Sequence, residues 1–284
     1  MVSSERHVFG STGVAVPRIG LGTWYLEQSQ PQTAINAVKR ALDLGMTHID
    51  TAELYGSGRA ESLVGQGIAG RRDEVFLVSK VIPDNASRAG TITHCEQSLK
   101  RLGTDHLDCY LLHWPGSHPL EDTIAGLEEL VKAGKTRAWG VSNFDEDELQ
   151  RALDIAGPGR IACNQVLYHL EERGIEHAVL PWCEAHGVAV VGYTPYGQHL
   201  SFPPRGPGGA VLTQVAERLG ATTRQVALAF LTRRPGLFAI PKSTQPEHLR
   251  ENAGALRLEL SADDIAAVDK AFPLGRRRRG VAML

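Results

Sequence analysis

Between residues 47 and 113 the chain reads THID (47–50), VFLVSK (75–80) and LDCYLLH (107–113), with helix-like sequence between the runs. Short runs rich in Val, Ile, Leu and Phe, separated by stretches of helical periodicity, are read as buried parallel strands joined by helices. Each run ends on an ionisable side chain: Asp50, Lys80 and His113. Tyr55 lies on the turn after the first run. An acid, an amine, an imidazole and a phenol carried by separate strands can meet only if those strands share one rim. The C-terminal face of a β/α barrel is such a rim.

The same alternation extends outward in both directions. A hairpin is expected near residues 7–18. Strands follow at 19–22, 47–50, 75–80, 107–113, 136–142, 161–165, 188–193 and 237–241. Residues 33–44 place Ile35, Val38, Ala41 and Leu42 on one helical face, with Gly45 as the cap. Residues 120–133 and 146–156 end at Gly134 and Gly157 in the same way. Eight βα units without a linker predict a closed (β/α)8 TIM barrel rather than an open sheet. One barrel domain is expected over residues 1–284. The Pro/Gly-rich stretch 201–209 falls between the seventh strand and its helix, so it reads as a rim loop. A last helix, 262–271, starts at a Ser261 N-cap and stands outside the repeat.

The chain has 284 residues, enough to bury a sizeable core. A formal net charge of −2 creates no global field that would favour nucleic acid. Arg276, Arg277, Arg278 and Arg279 read as a solvated run. Cys95, Cys109, Cys163 and Cys183 include no C-x-x-C pair, and reduced, buried thiols are expected. The first residues, MVSSERHVFGSTG, contain no apolar leader, and no apolar run is long enough to span a bilayer. The expectation is a soluble, cytoplasmic protein, monomeric or weakly self-associating, with no nucleic-acid or membrane partner and no metal.

Polar or aromatic residues recur at the strand ends: Thr23 and Trp24, Asp50 and Tyr55, Lys80, His113 and Trp114, Ser142 and Asn143, Gln165, Tyr193, then Lys242 and Ser243. The quartet Asp50, Tyr55, Lys80 and His113 can pass a proton through a phenol to a developing alkoxide. Reduction of a carbonyl by hydride requires such a path. No side chain donates hydride, so a cofactor is implied. Lys242, Ser243 and Thr244 precede a helix that starts near Gln245, where backbone N–H groups and the lysine make a natural phosphate site.

Several motifs carry a family resemblance: GLGTW (20–24), GMTHIDTAELYGSGRAESLVG (45–65), VFLVSK, LLHWP (111–115), GVSNF (140–144), NQVLYH (164–169) and IPKSTQPEHLREN (240–252). Together they resemble the aldo-keto reductases over nearly the whole chain, most closely the bacterial reductases of small aldehydes such as methylglyoxal. The resemblance implies NADPH-dependent reduction of aldehydes or ketones to alcohols, with NADH as an alternative cofactor. It implies Tyr55 as proton donor, Asp50 paired with Lys80, and His113 orienting the substrate carbonyl. Lys80 beside the phenol should favour phenolate and lower its pKa.

By the same resemblance Ser142, Asn143 and Gln165 hold the nicotinamide carboxamide and Tyr193 stacks on its ring. Thr23, Trp24 and Asp50 join the cofactor set, as do Lys242, Ser243 and Thr244. His248, Glu251 and Asn252 flank the adenosine end. The substrate pocket is expected from Trp24, Tyr55, His113 and Trp114, with Tyr196 as a further candidate. A short loop after the fourth strand and a short tail after Phe272 should leave it shallow and open. One position departs from the family: His248 stands where an Arg often grips the 2′-phosphate, and imidazole offers no bidentate fork. Two other readings use the same residues. A barrel lyase would use Lys80 as a Schiff-base amine; a non-catalytic subunit would bind NADP(H) only as a sensor.

Overall fold

The amphipathic stretch expected at 33–44 forms α1 (Pro31–Asp43), which buries Ala34, Ile35, Ala37, Val38, Ala41 and Leu42 against the sheet side. The chain leaves it through Gly45 at φ +88, a conformation that a Cβ disfavours. A computed structural model describes residues 6–197 and 202–284. After an antiparallel hairpin of β1 (Arg6–Val8) and β2 (Ala15–Pro17), the repeat runs β3 (Leu21–Gly22), α1, β4 (His48–Asp50), α2 (Arg59–Ile68) and β5 (Phe76–Val81). It continues α3 (Arg88–Leu102), β6 (Leu107–Leu112), α4 (Leu120–Lys132), β7 (Thr136–Ser142), α5 (Glu146–Ala156) and β8 (Ile161–Leu167). Then come α6 (Val179–Ala185), β9 (Ala189–Tyr193), α7 (Pro207–Leu219), α8 (Thr223–Leu231), β10 (Leu237–Ala239), α9 (Pro246–Gly254) and α10 (Ala262–Ala271).

Strands β3 to β10 form one eight-stranded parallel sheet in sequence order. The sheet closes on itself. Ile19 bridges Ala239 in parallel, Gly20 N donates to Ala239 O at 2.9 Å, and Gly22 N donates to Pro241 O at 3.2 Å. A Cβ on Gly22 would stand 2.5 Å from Ile240 O, so the closing seam needs glycine there. The fold is therefore the expected (β/α)8 barrel. Gly22 pairs with Asp50 in register, which brings the GLGTW motif beside the first acidic strand end.

Two cores hold the barrel. Between strands and helices lies a broad apolar layer that includes Ile49, Leu77, Tyr110, Trp139 and Leu228. Inside the barrel, Phe76, Val78, Cys109, Leu111, Val191 and Phe238 fill the lumen. Phe9, from the hairpin, plugs the lower end, with its ring centroid 4.7 Å from Phe76 and 5.0 Å from Phe238. With the lumen plugged below, the C-terminal rim is the face where a β/α barrel places its chemistry. All four cysteines are buried and free. Among the described residues no helix is long and apolar enough to cross a membrane.

Two features were not read from the sequence. The stretch before β10 holds two helices, not one. Gly220 in left-handed conformation ends α7, and a Thr222–Gln225 capping box starts α8. α7 lies outside the repeat beside α10, joined by an Arg218–Asp264 ion pair. α10 begins at Ser261 as expected, again with a capping box. The tail also runs differently. Arg173 Nη1 donates to Phe272 O at 2.6 Å and Nη2 meets Asp269 at 2.6 Å, fixing where the tail departs. Arg277 then pairs with Glu146, so the exposed arginine run also lashes the tail to α5.

Candidate active site

Asp50 is the last residue of β4, Lys80 is the penultimate residue of β5, and His113 directly follows β6. Parallel register brings these ends together, and the turn after β4 carries Tyr55 above them. Lys80 Nζ lies 2.6 Å from Asp50 Oδ1, 2.8 Å from Thr51 O and 3.3 Å from the Tyr55 hydroxyl. Gln165 Nε2 donates to the second Asp50 oxygen at 2.8 Å. Asp50 and Lys80 are fully buried, so each charge depends on these partners. The His113 ring stands edge-on to Tyr55 with centroids 5.7 Å apart.

The titration of each group follows from burial and neighbours. Burial favours the neutral amine in Lys80, but Asp50 and Tyr55 outweigh it and hold its pKa above the ordinary value. Burial raises the Asp50 pKa, and Lys80 offsets only part of the rise. Tyr55 departs from the expectation. Lys80 does pull its pKa down, but burial pushes harder in the other direction, helped by Asp50, so the phenol sits above its ordinary 10.0. Burial and then Lys80 depress His113 well below 6.5, which keeps the imidazole neutral. The resting site thus holds a protonated phenol beside an ammonium that can stabilise its anion.

A cavity of about 640 Å³ opens above the quartet. Asp50, Tyr55 and His113 line it, together with the predicted Thr23, Trp24, Trp114, Ser142, Asn143, Gln165, Tyr193, Tyr196 and Lys242. Lys80 lies behind this wall. The amides are already ordered: Asn143 Nδ2 donates to His113 O at 3.1 Å, and its Oδ1 accepts from the Tyr193 hydroxyl at 2.9 Å. Ser142 Oγ donates to Gln165 O at 2.8 Å. The sequence reading missed Tyr25, Leu54, Met283 and Leu284, four exposed apolar side chains that rim the same cavity. The tail therefore narrows the mouth instead of leaving it open.

Ser243, Thr244, His248, Glu251 and Asn252 do not line this cavity. They lie at the start of α9 or along it. Ser243 Oγ accepts from Gln245 N at 3.1 Å, and Pro246 at the first helical position has no N–H, so fewer backbone donors are free there than expected. Thr244 lines a separate hollow against α1. Asn252 accepts from the Tyr196 hydroxyl at 2.6 Å, linking α9 to the cavity wall. Arg224 was also missed. It stands 3.9 Å from Glu251 and 4.7 Å over the Tyr196 ring, adding a cation at this end. No local motif announces it.

Comparison with known proteins gives the family. A model of the Aldo/keto reductase family matches residues 18–272. Methylglyoxal reductase YeaE of Escherichia coli strain K12 is 42% identical over 276 residues, covering 96% of this chain and 97% of its own. Glyoxal reductase of Bacillus subtilis strain 168 is 36% identical over 262 residues, 90% of this chain and 89% of its own. An aldo/keto reductase from Klebsiella pneumoniae, crystallised with NADP and acetate, superposes with a TM-score of 0.92 at 44% identity, covering 99% of this chain and 100% of that one. The chain belongs to the aldo/keto reductase family.

Proposed function

We propose that the protein reduces small aldehydes, of which methylglyoxal is the type, to alcohols with NADPH, Tyr55 supplying the proton. The observation that carries this reading is the Tyr55 hydroxyl, which faces the cavity with the buried Lys80 Nζ 3.3 Å away. NADPH, when bound, supplies the hydride equivalent that forms the new C–H bond at the carbonyl carbon. The carbonyl oxygen takes the Tyr55 proton as its charge develops. The phenolate left behind is stabilised by Lys80, itself held by Asp50 at 2.6 Å. Neutral His113 orients the carbonyl by hydrogen bonding and adds no charge to the cavity. A lysine so buried and paired is a poor nucleophile, which speaks against the Schiff-base reading.

The residues fit the cofactor. Ser142, Asn143 and Gln165 offer amide and hydroxyl partners for a carboxamide, and Tyr193 offers a flat face. Lys242, on the cavity wall, offers the cation for phosphate, with Ser243 and Thr244 beside it and fewer backbone donors at the start of α9 than the sequence suggested, and His248, Glu251 and Asn252 along α9 are assigned to the adenosine end. The relatives named methylglyoxal and glyoxal reductase support a small carbonyl substrate. So does a 640 Å³ cavity that the nicotinamide end of the cofactor and the substrate must share, narrowed by Met283 and Leu284. Rates of NADPH consumption test this. kcat/KM should be higher for methylglyoxal or a small aryl aldehyde than for a steroid ketone; a steroid preference would overturn the size reading.

Cofactor choice follows from His248, half-buried in the first turn of α9. His248→Arg should tighten NADPH by about 1–2 kcal/mol through charge-assisted hydrogen bonds to the 2′-phosphate and leave NADH nearly unchanged. Dissociation constants for both cofactors check this. Equal gains for NADH, or no gain, would show that His248 does not serve the 2′ position.

A further inference from the structure

Glu53 lies two residues before Tyr55, on the turn that follows β4, and does not line the cavity. Its carboxylate is nearly buried and is bound on both oxygens. Oε1 accepts from Ile82 N at 2.9 Å and from Asn85 Nδ2 at 3.0 Å, while Oε2 lies 2.6 Å from His94 Nδ1. Ile82 and Asn85 belong to the loop that leaves β5, and His94 to α3. One side chain thus joins the Tyr55 turn to the element that follows the Lys80 strand. The main chain makes the same connection more weakly, Glu53 N donating to Lys80 O at 3.4 Å.

The turn needs such a tie. Beyond Tyr55 it passes through Gly56 and Gly58 at φ +57 and +86, residues with little stiffness of their own. The Tyr55–Lys80 contact of 3.3 Å is already at the long end of hydrogen-bonding distance. A drift of a few tenths of an ångström would break it.

We propose that Glu53 is a positioning residue for Tyr55, its carboxylate clamping the turn to the β5–α3 loop so that the phenol stays within reach of Lys80. The proposal rests on Tyr55 as proton donor. Glu53→Ala should lower kcat by about 10- to 10²-fold, the scale of an ångström misplacement, with the NADPH dissociation constant unchanged. The alkaline limb of its pH–kcat profile should move upward, because a phenol further from Lys80 loses the pull that opposes burial. Glu53→Gln, which keeps an acceptor for Ile82 N and Asn85, should recover most of the turnover.

Wild-type turnover and pH profile in a folded Glu53→Ala overturn the proposal. If that variant does not fold, Asn85→Ala and His94→Ala decide. Each removes one partner, so reduced kcat with a shifted alkaline limb supports the clamp, and wild-type behaviour in both overturns it. Tyr55→Phe is the control. Should it keep normal turnover, the proton-donor reading itself fails. Should it lose turnover while Glu53→Ala does not, only the clamp fails.

Discussion

Tyr55→Phe should lower the turnover number for aldehyde reduction by about 10² to 10⁴, the contribution of a positioned general acid. The aromatic ring is kept, so its contacts with His113 and Trp24 survive and the fold should not change. NADPH affinity, read by fluorescence quenching, should also survive. The wild-type pH profile gives a second view of the same group. The donor is active while protonated, and His113 acts while neutral. With the Tyr55 pKa above 10.0 and the His113 pKa well below 6.5, reduction should run at constant turnover between those values. A sigmoidal fall within that window would identify a different acid.

Lys80→Met should produce the largest loss of stability of any single change at the site. It leaves the buried Asp50 carboxylate with Gln165 as its remaining side-chain partner. Breaking a buried pair in this way costs about 3–5 kcal/mol. The loss should depend on pH with a defined sign. In the native protein burial already raises the Asp50 pKa, and removing Lys80 removes the main opposing pull. An acid whose folded pKa is raised binds its proton more tightly when folded. Its stability is therefore highest at low pH and is lost as pH rises through the folded pKa. Denaturant unfolding at pH 5 and pH 8 should show a smaller deficit, relative to wild type, at pH 5. An equal deficit at both would mean that Asp50 is not the source. Turnover should also fall sharply, since Tyr55 loses the cation that stabilises its anion.

Much of the fold was legible in the sequence because local signals agreed with the global pattern. β7, α5 and α10 have the bounds expected from the chain. Asp145 and Ser261 cap the two helices with reciprocal bonds that short motifs announce. β10 stops at Ala239, earlier than expected, because Pro241 has no N–H to continue the ladder. The meeting of Asp50, Tyr55, Lys80 and His113 was legible for a different reason: ionisable residues at successive strand ends are costly unless they meet.

What was not legible depends on distance along the chain or on burial. The tail reaches the cavity through Arg173, which holds a carbonyl 99 residues away and leaves no periodic trace. Gln165 donates to Asp50, 115 residues earlier, as well as facing the cavity. The direction of the Tyr55 shift was missed because sequence names the neighbour, Lys80, but not the depth of burial that outweighs it. Arg224 reaches Glu251 only because α8 packs against α9.

The most direct test of the reductase reading is a single-turnover reaction of the wild-type protein with NADPH, deuterated at the transferable position, and methylglyoxal. NADPH should be consumed, one alcohol should form per cofactor, and the deuterium should reside on the former carbonyl carbon. Binding of NADPH without its oxidation, across methylglyoxal and other small aldehydes, would contradict it and favour a protein that senses the cofactor without using it.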